Sequence, residues 1–349
     1  MRRRFAIGSR AIGFLLILII LLGSFAVLVV IVMAPPARNG TTSSKTPVGA
    51  FYYLWYGNST GDVGGLGSPG WNSSSYPGGG AVVDRPGIGY YVSDSNQTFA
   101  RQVGQMQSAG LSFAVVSWWG PSSAGETGAI NKAVHDLFRY LAAARSGFKI
   151  AVMVDAYNGT SNLSNSTLAK DYGYVYSDFV APYSGSYFQW NGRPLLLFFN
   201  PVYPSYNDPR FTVRTVGNRP NPVEWTFWDA PPQYFAGQGG SGVNATNDEG
   251  TPLISSDGEV TVVPRIDSFY NRGSLGGSFL RFDPDLSTGL YNEQWSFVLN
   301  NSRDVKLVLI YSWNEYHERS EIEPHLDLSG IVSDSYLLSL TSSFTRELG

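Results

Sequence analysis

Four glutamates lie close together near the end of the chain, between Glu315 and Glu323. Glu315 and Glu318 are three positions apart, so one helical turn or a tight bend brings both carboxyl groups toward the same point. Cleavage of a glycosidic bond needs one carboxyl group to protonate the leaving oxygen and a second that acts on the opposite side of the reacting carbon. A shared pocket raises the pKa of one carboxyl group and leaves the other ionised, which divides the two roles.

The context of these glutamates leaves two interpretations open. Clustered glutamates are typical of a solvated acidic loop with a structural role only. Here, however, Trp313, Tyr316 and Ile322 are interspersed among them, and these residues are poorly suited to solvent exposure. The stretch also follows the strongly apolar segment 305–313 directly, which indicates a buried strand that ends where the acidic residues begin.

A metal site is a third interpretation of the same stretch. The run from His317 to Glu321 resembles a zinc-protease helix, but Glu321 stands in place of the second histidine of the H-E-x-x-H motif. The chain has only three histidines, so a zinc site built on histidine lacks ligands. A calcium site near Glu321, Glu323 and Asp327 stays open as an alternative, although neither a metal nor any other cofactor is expected.

The region from residue 48 to the end of the chain predicts an α/β fold. Apolar segments alternate with helical patterns there, which is the signature of β/α units and a parallel sheet. Seven near-continuous apolar runs read as strands buried on both faces, namely 49–56, 112–119, 149–157, 193–200, 223–230, 259–267 and 305–313. Residues 48–349 are therefore predicted to form a (β/α)8 TIM-type barrel with one strand missed. An open doubly wound sheet is the rival, but no G-x-G-x-x-G or Walker motif supports it.

These predicted strands end in aromatic and polar residues. In a barrel the carboxyl ends of all strands converge on one mouth, where catalysis takes place. We expect a cup whose flat aromatic faces suit the C–H surfaces of a sugar and whose fixed carboxylates and amides suit its hydroxyl groups. The candidate substrate-binding residues at these ends and in the acidic stretch are Trp55, Tyr56, Trp118, Trp119, Asp155, Tyr157, Asp267, Asn314 and His317.

A charge-free segment, residues 11–33, is long enough to cross a membrane as a helix. At 1.5 Å per residue it spans about 34 Å, against about 30 Å for a hydrocarbon core. Four arginines lie within residues 1–10, so the positive-inside rule predicts a cytoplasmic tail and an outward-facing remainder. We predict an uncleaved single-pass anchor rather than a signal peptide, whose apolar region is about 7–15 residues long. Residues 34–47 read as a polar linker, and nine N-x-[S/T] triplets in the chain suggest an extracytoplasmic glycoprotein.

Composition excludes several other classes of protein. With 24 Lys and Arg against 27 Asp and Glu, the chain has no basic excess to neutralise a nucleic-acid backbone. It has no cysteine, which excludes disulfides, thiolate metal sites and a cysteine nucleophile. Its 14% of aromatic residues is far more than a disordered chain carries. The expected partners are therefore a membrane and an oligosaccharide or polysaccharide substrate, and the sequence says nothing about oligomeric state.

The acidic stretch also resembles a known family. Residues 314–324 are similar to the N-E-W-H-E-x-x-x-I-E-P signature of glycoside hydrolase family 99, which comprises endo-α-1,2-mannosidases and endomannanases and has relatives in bacterial polysaccharide loci. Residues 51–57 are similar to the opening F-Y-Y-x-W-Y-G strand of that family, and Trp71 and Asn72 stand where a W-N pair follows it. Residues 116–120 and 155–157 match later segments in the same order. The resemblance thus extends along the whole predicted barrel.

The resemblance implies a retaining reaction through a 1,2-anhydro sugar, without an enzyme nucleophile. Carried over by position, Glu315 is the base that deprotonates the 2-hydroxyl group of the substrate. Glu318 is the acid that protonates the leaving oxygen and then the base that activates water. Tyr53, Tyr56 and either Trp118 or Trp119 are expected to line the subsite of the cleaved residue, and Asp155 is expected to bind sugar hydroxyl groups. Trp71 is a further expected substrate-binding residue.

Four positions depart from the family pattern. Tyr316 replaces a tryptophan, Arg319 a glycine and Glu321 a glutamine, and Asn200 stands where aspartate is commoner. These changes leave the two catalytic glutamates in place but bear on the identity of the sugar. They also motivate an alternative function, that of a non-catalytic protein that binds glycans or assembles cell-surface polysaccharide on the same barrel.

Overall fold

The computed structural model describes residues 17–22, 25–30, 45–57, 71, 82–155, 164–199, 204–217, 223–226, 252–272, 281–283, 285–287, 289–327, 330 and 333–349. The strands are β1 (Ile17–Leu22), β2 (Phe25–Val30), β3 (Val48–Tyr52), β4 (Arg85–Pro86), β5 (Phe113–Trp118), β6 (Lys149–Val154), β7 (Gln189–Trp190), β8 (Arg193–Phe199), β9 (Thr212–Gly217), β10 (Trp225–Thr226), β11 (Glu259–Val262), β12 (Ile266–Asp267), β13 (Arg281–Phe282), β14 (Leu307–Ile310) and β15 (His325–Leu326). The helices are α1 (Asn96–Ser108), α2 (Gly125–Ala144), α3 (Asn165–Tyr174), which continues as a π-helical turn (Val175–Val180), α4 (Phe269–Arg272), α5 (Leu290–Asn300) and α6 (Tyr336–Leu348).

The chain divides into two compact units, Met1–Lys45 and Thr46–Gly349. In the first unit, β1 and β2 form an antiparallel pair, whereas the sequence predicted a membrane-spanning helix over residues 11–33. The branched isoleucine and valine residues that make this segment apolar also favour extended backbone, so its local sequence suits strands as well. The rest of 1–33 and residues 34–44 lie outside the described residues. Across the part of the chain that the structure describes, no helix combines the length and apolar composition that crossing a membrane requires.

The second unit contains the predicted barrel. Eight parallel strands follow one another in the order β10-β9-β8-β6-β5-β3-β14-β11. Among these eight strands, the last along the chain, β14, thus pairs with the first, β3, as in a (β/α)8 barrel and unlike an open doubly wound sheet. The two ends of the order, β10 and β11, lie in contact, although the described residues include no ladder between them. The barrel is therefore nearly closed.

Seven of the eight barrel strands overlap the predicted apolar segments, and the missed strand is β9. The two central residues of β9, Arg214 and Thr215, are only half-buried, so its sequence lacks the continuous apolar run that marks the other strands. Outside the sheet, α2 buries one apolar face, since Ile130, Val134 and Leu137 are all buried.

Asp257 connects the strands at which the barrel closes. It lies two residues before β11, and its Oδ2 accepts hydrogen bonds from Arg214 of β9 (2.7 Å from Nη2) and Trp190 of β7 (3.1 Å). Its Oδ1 accepts from Trp225 of β10 (3.0 Å) and from Ser255 (2.8 Å). Burial alone would raise the pKa of Asp257, but these donors outweigh it and lower the pKa to about 2. An ionised side chain thus joins β9, β10 and β11.

Candidate active site

The loop of residues 311–324 follows β14 at the carboxyl end of the barrel and is fastened to the segment that follows β3. The Asn314 side chain bonds both backbone groups of Tyr53, accepting from its N–H (2.9 Å) and donating to its carbonyl oxygen (2.8 Å). The Tyr56 hydroxyl donates to the Asn314 carbonyl oxygen (2.7 Å) and accepts from the N–H of Tyr316 (3.1 Å). Asn314 and Tyr56 were both predicted to bind substrate. In the structure they are buried, and their hydrogen bonds connect the segments that follow β14 and β3.

Glu315 is buried and held from several directions. Its N–H donates to the Ser312 hydroxyl (2.8 Å). Its Oε1 accepts from the N–H of His317 (3.0 Å) and lies 3.2 Å from Nδ1 of the same histidine. The His317 ring in turn stacks parallel to Tyr56, with ring centroids 5.9 Å apart. The orientation of the Glu315 carboxyl group is thus fixed by the local backbone and by His317.

Glu318 is half-buried and faces two tyrosines. Its Oε2 accepts a hydrogen bond from the Tyr311 hydroxyl (2.8 Å), and the Tyr311 hydroxyl accepts from the Tyr53 hydroxyl (3.3 Å). The turn that carries both glutamates is closed by a bond from the N–H of Glu318 to the carbonyl oxygen of Glu315 (3.3 Å). The three-residue spacing therefore forms a tight bend, one of the two arrangements that the sequence predicted.

The electrostatics of the two tyrosines show that the acidic groups converge. Burial raises the pKa of Tyr53 well above its usual value, and the charges of Glu315, Glu318 and Asp155 raise it further. Burial also raises the pKa of Tyr311, and the charges of Glu318 and Glu315 again add to the effect. The charges of Glu315 and Glu318 thus both act on this pair of hydroxyl groups, and the charge of Asp155 acts on that of Tyr53.

Asp155 follows β6 directly. Burial of its carboxyl group raises its pKa to about 6, a hydrogen bond from the Ser117 hydroxyl (3.0 Å) acts against this, and the charge of Glu318 adds to it. Trp119 donates from Nε1 to the same Ser117 hydroxyl (3.2 Å). The site therefore holds a third carboxyl group that changes its protonation near neutral pH.

Aromatic rings form a wall beside these acids. Trp55 stacks on Tyr53 with ring centroids 4.4 Å apart, and it also contacts Trp119 (5.7 Å) and His317 (6.4 Å). Flat rings next to carboxylates are the surface that the sequence predicted for a sugar. Trp55, Trp119, Tyr53, Asp155 and His317 are thus brought together with the two glutamates.

Other predicted site residues have different surroundings. Trp71 is buried, stacks on Tyr56 at 4.0 Å and donates to the Tyr91 carbonyl oxygen (2.7 Å). Trp118 is also fully buried, and its Nε1 donates to Asn131 of α2 (2.8 Å), so it packs between the sheet and the surrounding helices. Of the two adjacent tryptophans, Trp119 therefore fits the subsite. Tyr157 and Asn200 lie outside the described residues.

A buried arginine cluster lies beside the loop, with Arg265 at its centre. The guanidinium Nη2 of Arg265 donates to Asp84 (2.7 Å) and Glu321 (3.2 Å) and lies 3.0 Å from His325, and Nη1 contacts Asp327. The Nε group of Arg265 donates to the Arg319 carbonyl oxygen (2.8 Å). The cluster consists of Arg265, Arg319, Asp84, Asp267, Glu321, His325 and Asp327, and all of these residues are buried.

Two of the departures from the family pattern, Arg319 and Glu321, belong to this cluster. Arg319 has a φ of 51°, in the left-handed region where glycine is at ease and which costs other residues about 1 kcal/mol or more. Its guanidinium offsets this cost with bonds to Asp84 (2.7 Å) and Asp267 (2.9 Å). Asp267, predicted to bind substrate, also pairs with Arg281 (3.0 Å) and so serves here to position the loop. Burial would raise the pKa of Asp84, but Arg265 and Arg319 lower it.

The cluster includes two of the three residues that the sequence analysis named for a possible calcium site. Donor atoms of Asp84, His325 and Asp327 lie within 4.8 Å of one another, close enough to ligate an ion. However, all three already surround the guanidinium of Arg265, which supplies the positive charge that they need. Glu321 of the predicted calcium alternative contacts the same guanidinium. These residues therefore fit a network of ion pairs better than a metal centre.

Glu323 is the remaining residue of the possible calcium site. Among the described residues, it accepts hydrogen bonds only from neutral donors. Its Oε2 accepts from the hydroxyl groups of Tyr91 (2.8 Å) and Tyr316 (3.0 Å), and its Oε1 accepts from Gln102 (2.8 Å). Burial raises the pKa of Glu323 to about 7, although these donors act in the opposite direction. The hydroxyl of Tyr316, which replaces the family tryptophan, is thus used to hold a buried carboxyl group.

We expect Glu323→Gln to remove part of the pH dependence of stability. The folded-state pKa lies above the unfolded value, so the contribution is full below about pH 4 and is lost as the pH rises through about 7. This loss amounts to about 2 kcal/mol between about pH 5 and pH 8. The glutamine is neutral, and a flip of Gln102 preserves the hydrogen bond between the two side chains. We expect the free energy of unfolding, measured in urea at several pH values, to fall less steeply with rising pH in the variant than in the wild type. An equal dependence on pH in both proteins would contradict the argument.

Solved structures with a similar fold include an endo-α-mannosidase. The GH99 endo-α-mannosidase from Bacteroides thetaiotaomicron aligns with a TM-score of 0.59 and 18% identity, over 86% of this chain and 97% of that chain. The complex of the enzyme with bis-tris-propane gives a TM-score of 0.59 and 17% identity, over 87% and 97% of the two chains. A protein described as glycoside hydrolase-like gives 0.55 and 16%, over 89% and 97%. No protein-family model matches the chain, and no curated protein matches its sequence. The fold that the family resemblance implied is thereby confirmed.

Proposed function

We propose that this protein is a glycoside hydrolase that cleaves α-mannose-like glycans at internal linkages. The observation that carries the proposal is that one tight bend at the carboxyl end of the barrel holds both Glu315, bonded to the N–H of His317, and Glu318, bonded to the Tyr311 hydroxyl. Catalytic groups of (β/α)8 enzymes lie at this end. The similarity in fold to an endo-α-mannosidase supports the proposed substrate class.

The proposed reaction uses the 2-hydroxyl group of the substrate as the internal nucleophile. Glu315 takes the proton of this hydroxyl, and the 2-oxygen attacks C1 while Glu318 gives its proton to the leaving oxygen. Water then attacks C1 of the resulting 1,2-anhydro sugar and the bond from C1 to the 2-oxygen breaks. Glu318, now ionised, takes a proton from this water, and Glu315 returns its proton to the 2-oxygen. Two inversions at C1 give net retention of configuration. Glu315, oriented by the N–H of His317, suits the base, and Glu318, more exposed, suits the group that also meets water.

The surroundings of the two glutamates suit a sugar. The half-buried Trp119 ring, next to Trp55, offers flat apolar surface for its C–H groups, and Asp155 offers an acceptor for its hydroxyl groups. Such stacking combined with a few fixed polar groups is the usual design of a small-ligand site.

We further propose that residues 11–33 anchor the protein in a membrane with the barrel on the outer side. The support for this is the charge-free length of the segment and the arginines that precede it. Protease treatment of intact cells tests the orientation. Degradation of the barrel without lysis is the expected result, and protection of the barrel until lysis would contradict it.

Product analysis tests the hydrolase proposal. The full chain, in detergent, is incubated with α-1,2-linked manno-oligosaccharides, and the first anomer formed is read by proton NMR. We expect di- or oligosaccharides in the α configuration. Free mannose would indicate exo action, and a β product would contradict the retaining mechanism. Binding of the glycan without any product would favour the non-catalytic alternative.

A further inference from the structure

We propose that Tyr311, supported by Tyr53, is a positioning residue that holds the Glu318 carboxyl group and stabilises the negative charge that this group acquires when it gives up its proton. This inference rests on the proposed function and assigns a role to a tyrosine that the sequence motif does not include. The carrying observation is a chain of hydrogen bonds in which Tyr53 donates to Tyr311 (3.3 Å) and Tyr311 donates to Oε2 of Glu318 (2.8 Å).

Both tyrosine rings are fixed by packing. Tyr311 is 5% exposed and its ring contacts Phe51 at 5.7 Å, while Tyr53 is 4% exposed and stacks on Trp55 at 4.4 Å. The backbone of Tyr53 is bonded on both sides by Asn314. The hydroxyl groups are therefore preorganised, and holding Glu318 requires no further ordering of side chains.

The direction in which Tyr311 points distinguishes it from an ordinary core tyrosine. The Tyr187 hydroxyl, for comparison, donates to the backbone carbonyl oxygen of Leu195 (2.9 Å), which merely satisfies a buried donor. Tyr311 donates instead to a carboxyl group that faces the site. Burial and the charges of Glu318 and Glu315 keep the pKa of Tyr311 well above its usual value, so its hydroxyl remains a donor when Glu318 is ionised.

Two consequences follow for the reaction. Because Tyr311 holds Oε2, we assign Oε1 of Glu318 to the proton exchanged with the leaving group. A donor that bonds the carboxylate stabilises the negative charge that Glu318 acquires as it gives its proton to the leaving oxygen, and Tyr311→Phe removes this stabilisation. Because the first step needs this proton, the substitution is expected to displace the alkaline limb of the pH profile of kcat/KM.

The test compares Tyr311→Phe and Tyr53→Phe with Tyr187→Phe, which removes an equally buried hydroxyl far along the chain from the acidic loop. We expect Tyr311→Phe to lower kcat/KM about tenfold or more on substrates with a sugar leaving group, since bonds to charged groups are worth that much. The loss should be smaller with a phenolate leaving group, which needs less protonation. The alkaline limb should move to higher pH, and Tyr53→Phe should move it less in the same direction.

The expected outcome for Tyr187→Phe is an unchanged pH profile, even if the variant is less stable. If Tyr311→Phe keeps the wild-type pH profile, and if its kcat/KM falls equally on substrates with sugar and phenolate leaving groups, the proposal is overturned. A readout without turnover is the carbon-13 NMR titration of labelled glutamate carboxyl groups, with the Glu318 signal identified by its absence in Glu318→Gln. The signal should titrate at higher pH in Tyr311→Phe. This titration tests the role of Tyr311 even if the wild type cleaves no mannoside, in which case only the proposed function fails.

Discussion

Glu315→Gln and Glu318→Gln are each expected to lower kcat/KM on α-mannosides by at least ~10²-fold, the usual contribution of general acid–base catalysis. An amide has nearly the size and shape of a carboxyl group, so the fold is retained, but it neither gives nor takes the proton at the reacting atoms. The two losses should differ in kind. Glu315→Gln disables attack by the 2-oxygen whatever the leaving group. In Glu318→Gln, the rate of the first step should recover on a substrate with a phenolate leaving group, because that group leaves without being protonated.

The measurement is kcat/KM for each variant on substrates with sugar and phenolate leaving groups. Glu347→Gln is the matched control, because Glu347 is exposed on α6 and should leave both rates at the wild-type level. Thermal unfolding of all three variants shows whether a decrease in kcat/KM is caused by unfolding of the protein. Wild-type turnover in both Glu315→Gln and Glu318→Gln would end the assignment of these residues as base and acid.

The barrel could be predicted from the sequence because strands buried on both faces leave near-continuous apolar runs. The prediction failed for β9 because Arg214 interrupts the run in order to reach Asp257. Of the predicted segment 223–230, β10 occupies Trp225–Thr226, and residues 227–230 lie outside the described residues. Apolar composition thus indicates burial, and it does not reveal a polar residue that has a structural partner.

The strand-end rule located the acidic loop but not the direction of each side chain. Trp118 and Trp119 are adjacent, and successive side chains at the end of a strand point to opposite faces, so only one could face the mouth. The sequence offered no sign of which one. Tyr311 illustrates the same limit, since it directly precedes the recognised motif and its role depends on a hydroxyl distance.

The arginine cluster was missed because its partners are distant in the sequence. Asp84 and Arg265 are separated by 181 positions, and no local pattern connects them. The only signal was indirect, since Arg319 and Glu321 both departed from the family pattern and carry opposite charges. Their shared cluster, in which Arg319 is paired with Asp84 and Asp267, makes the two departures one structural feature.

Arg265→Met is expected to be the most destabilising single substitution in this cluster. Methionine fills most of the space of the arginine side chain, so the main loss is its charge. Asp84, Glu321 and Asp327 would then remain buried against one another. Breaking a buried ion network by removing one partner costs about 3–5 kcal/mol, a large part of the 5–15 kcal/mol by which domains are typically stable.

The pH dependence of this loss separates the charge from simple packing. Without the guanidinium, the pKa values of the facing carboxyl groups rise in the folded state, so they take up protons in acid and the penalty shrinks there. Urea unfolding should therefore show a larger loss of unfolding free energy at about pH 8 than at about pH 5.

A second substitution and a control test the same argument. Adding Glu321→Gln to Arg265→Met should recover part of the stability, since it removes one of the uncompensated charges. Arg210→Met, which breaks the exposed pair with Asp208, should cost about 1 kcal/mol or less at either pH. An equally small, pH-independent cost for Arg265→Met would show that the cluster contributes packing rather than charge compensation.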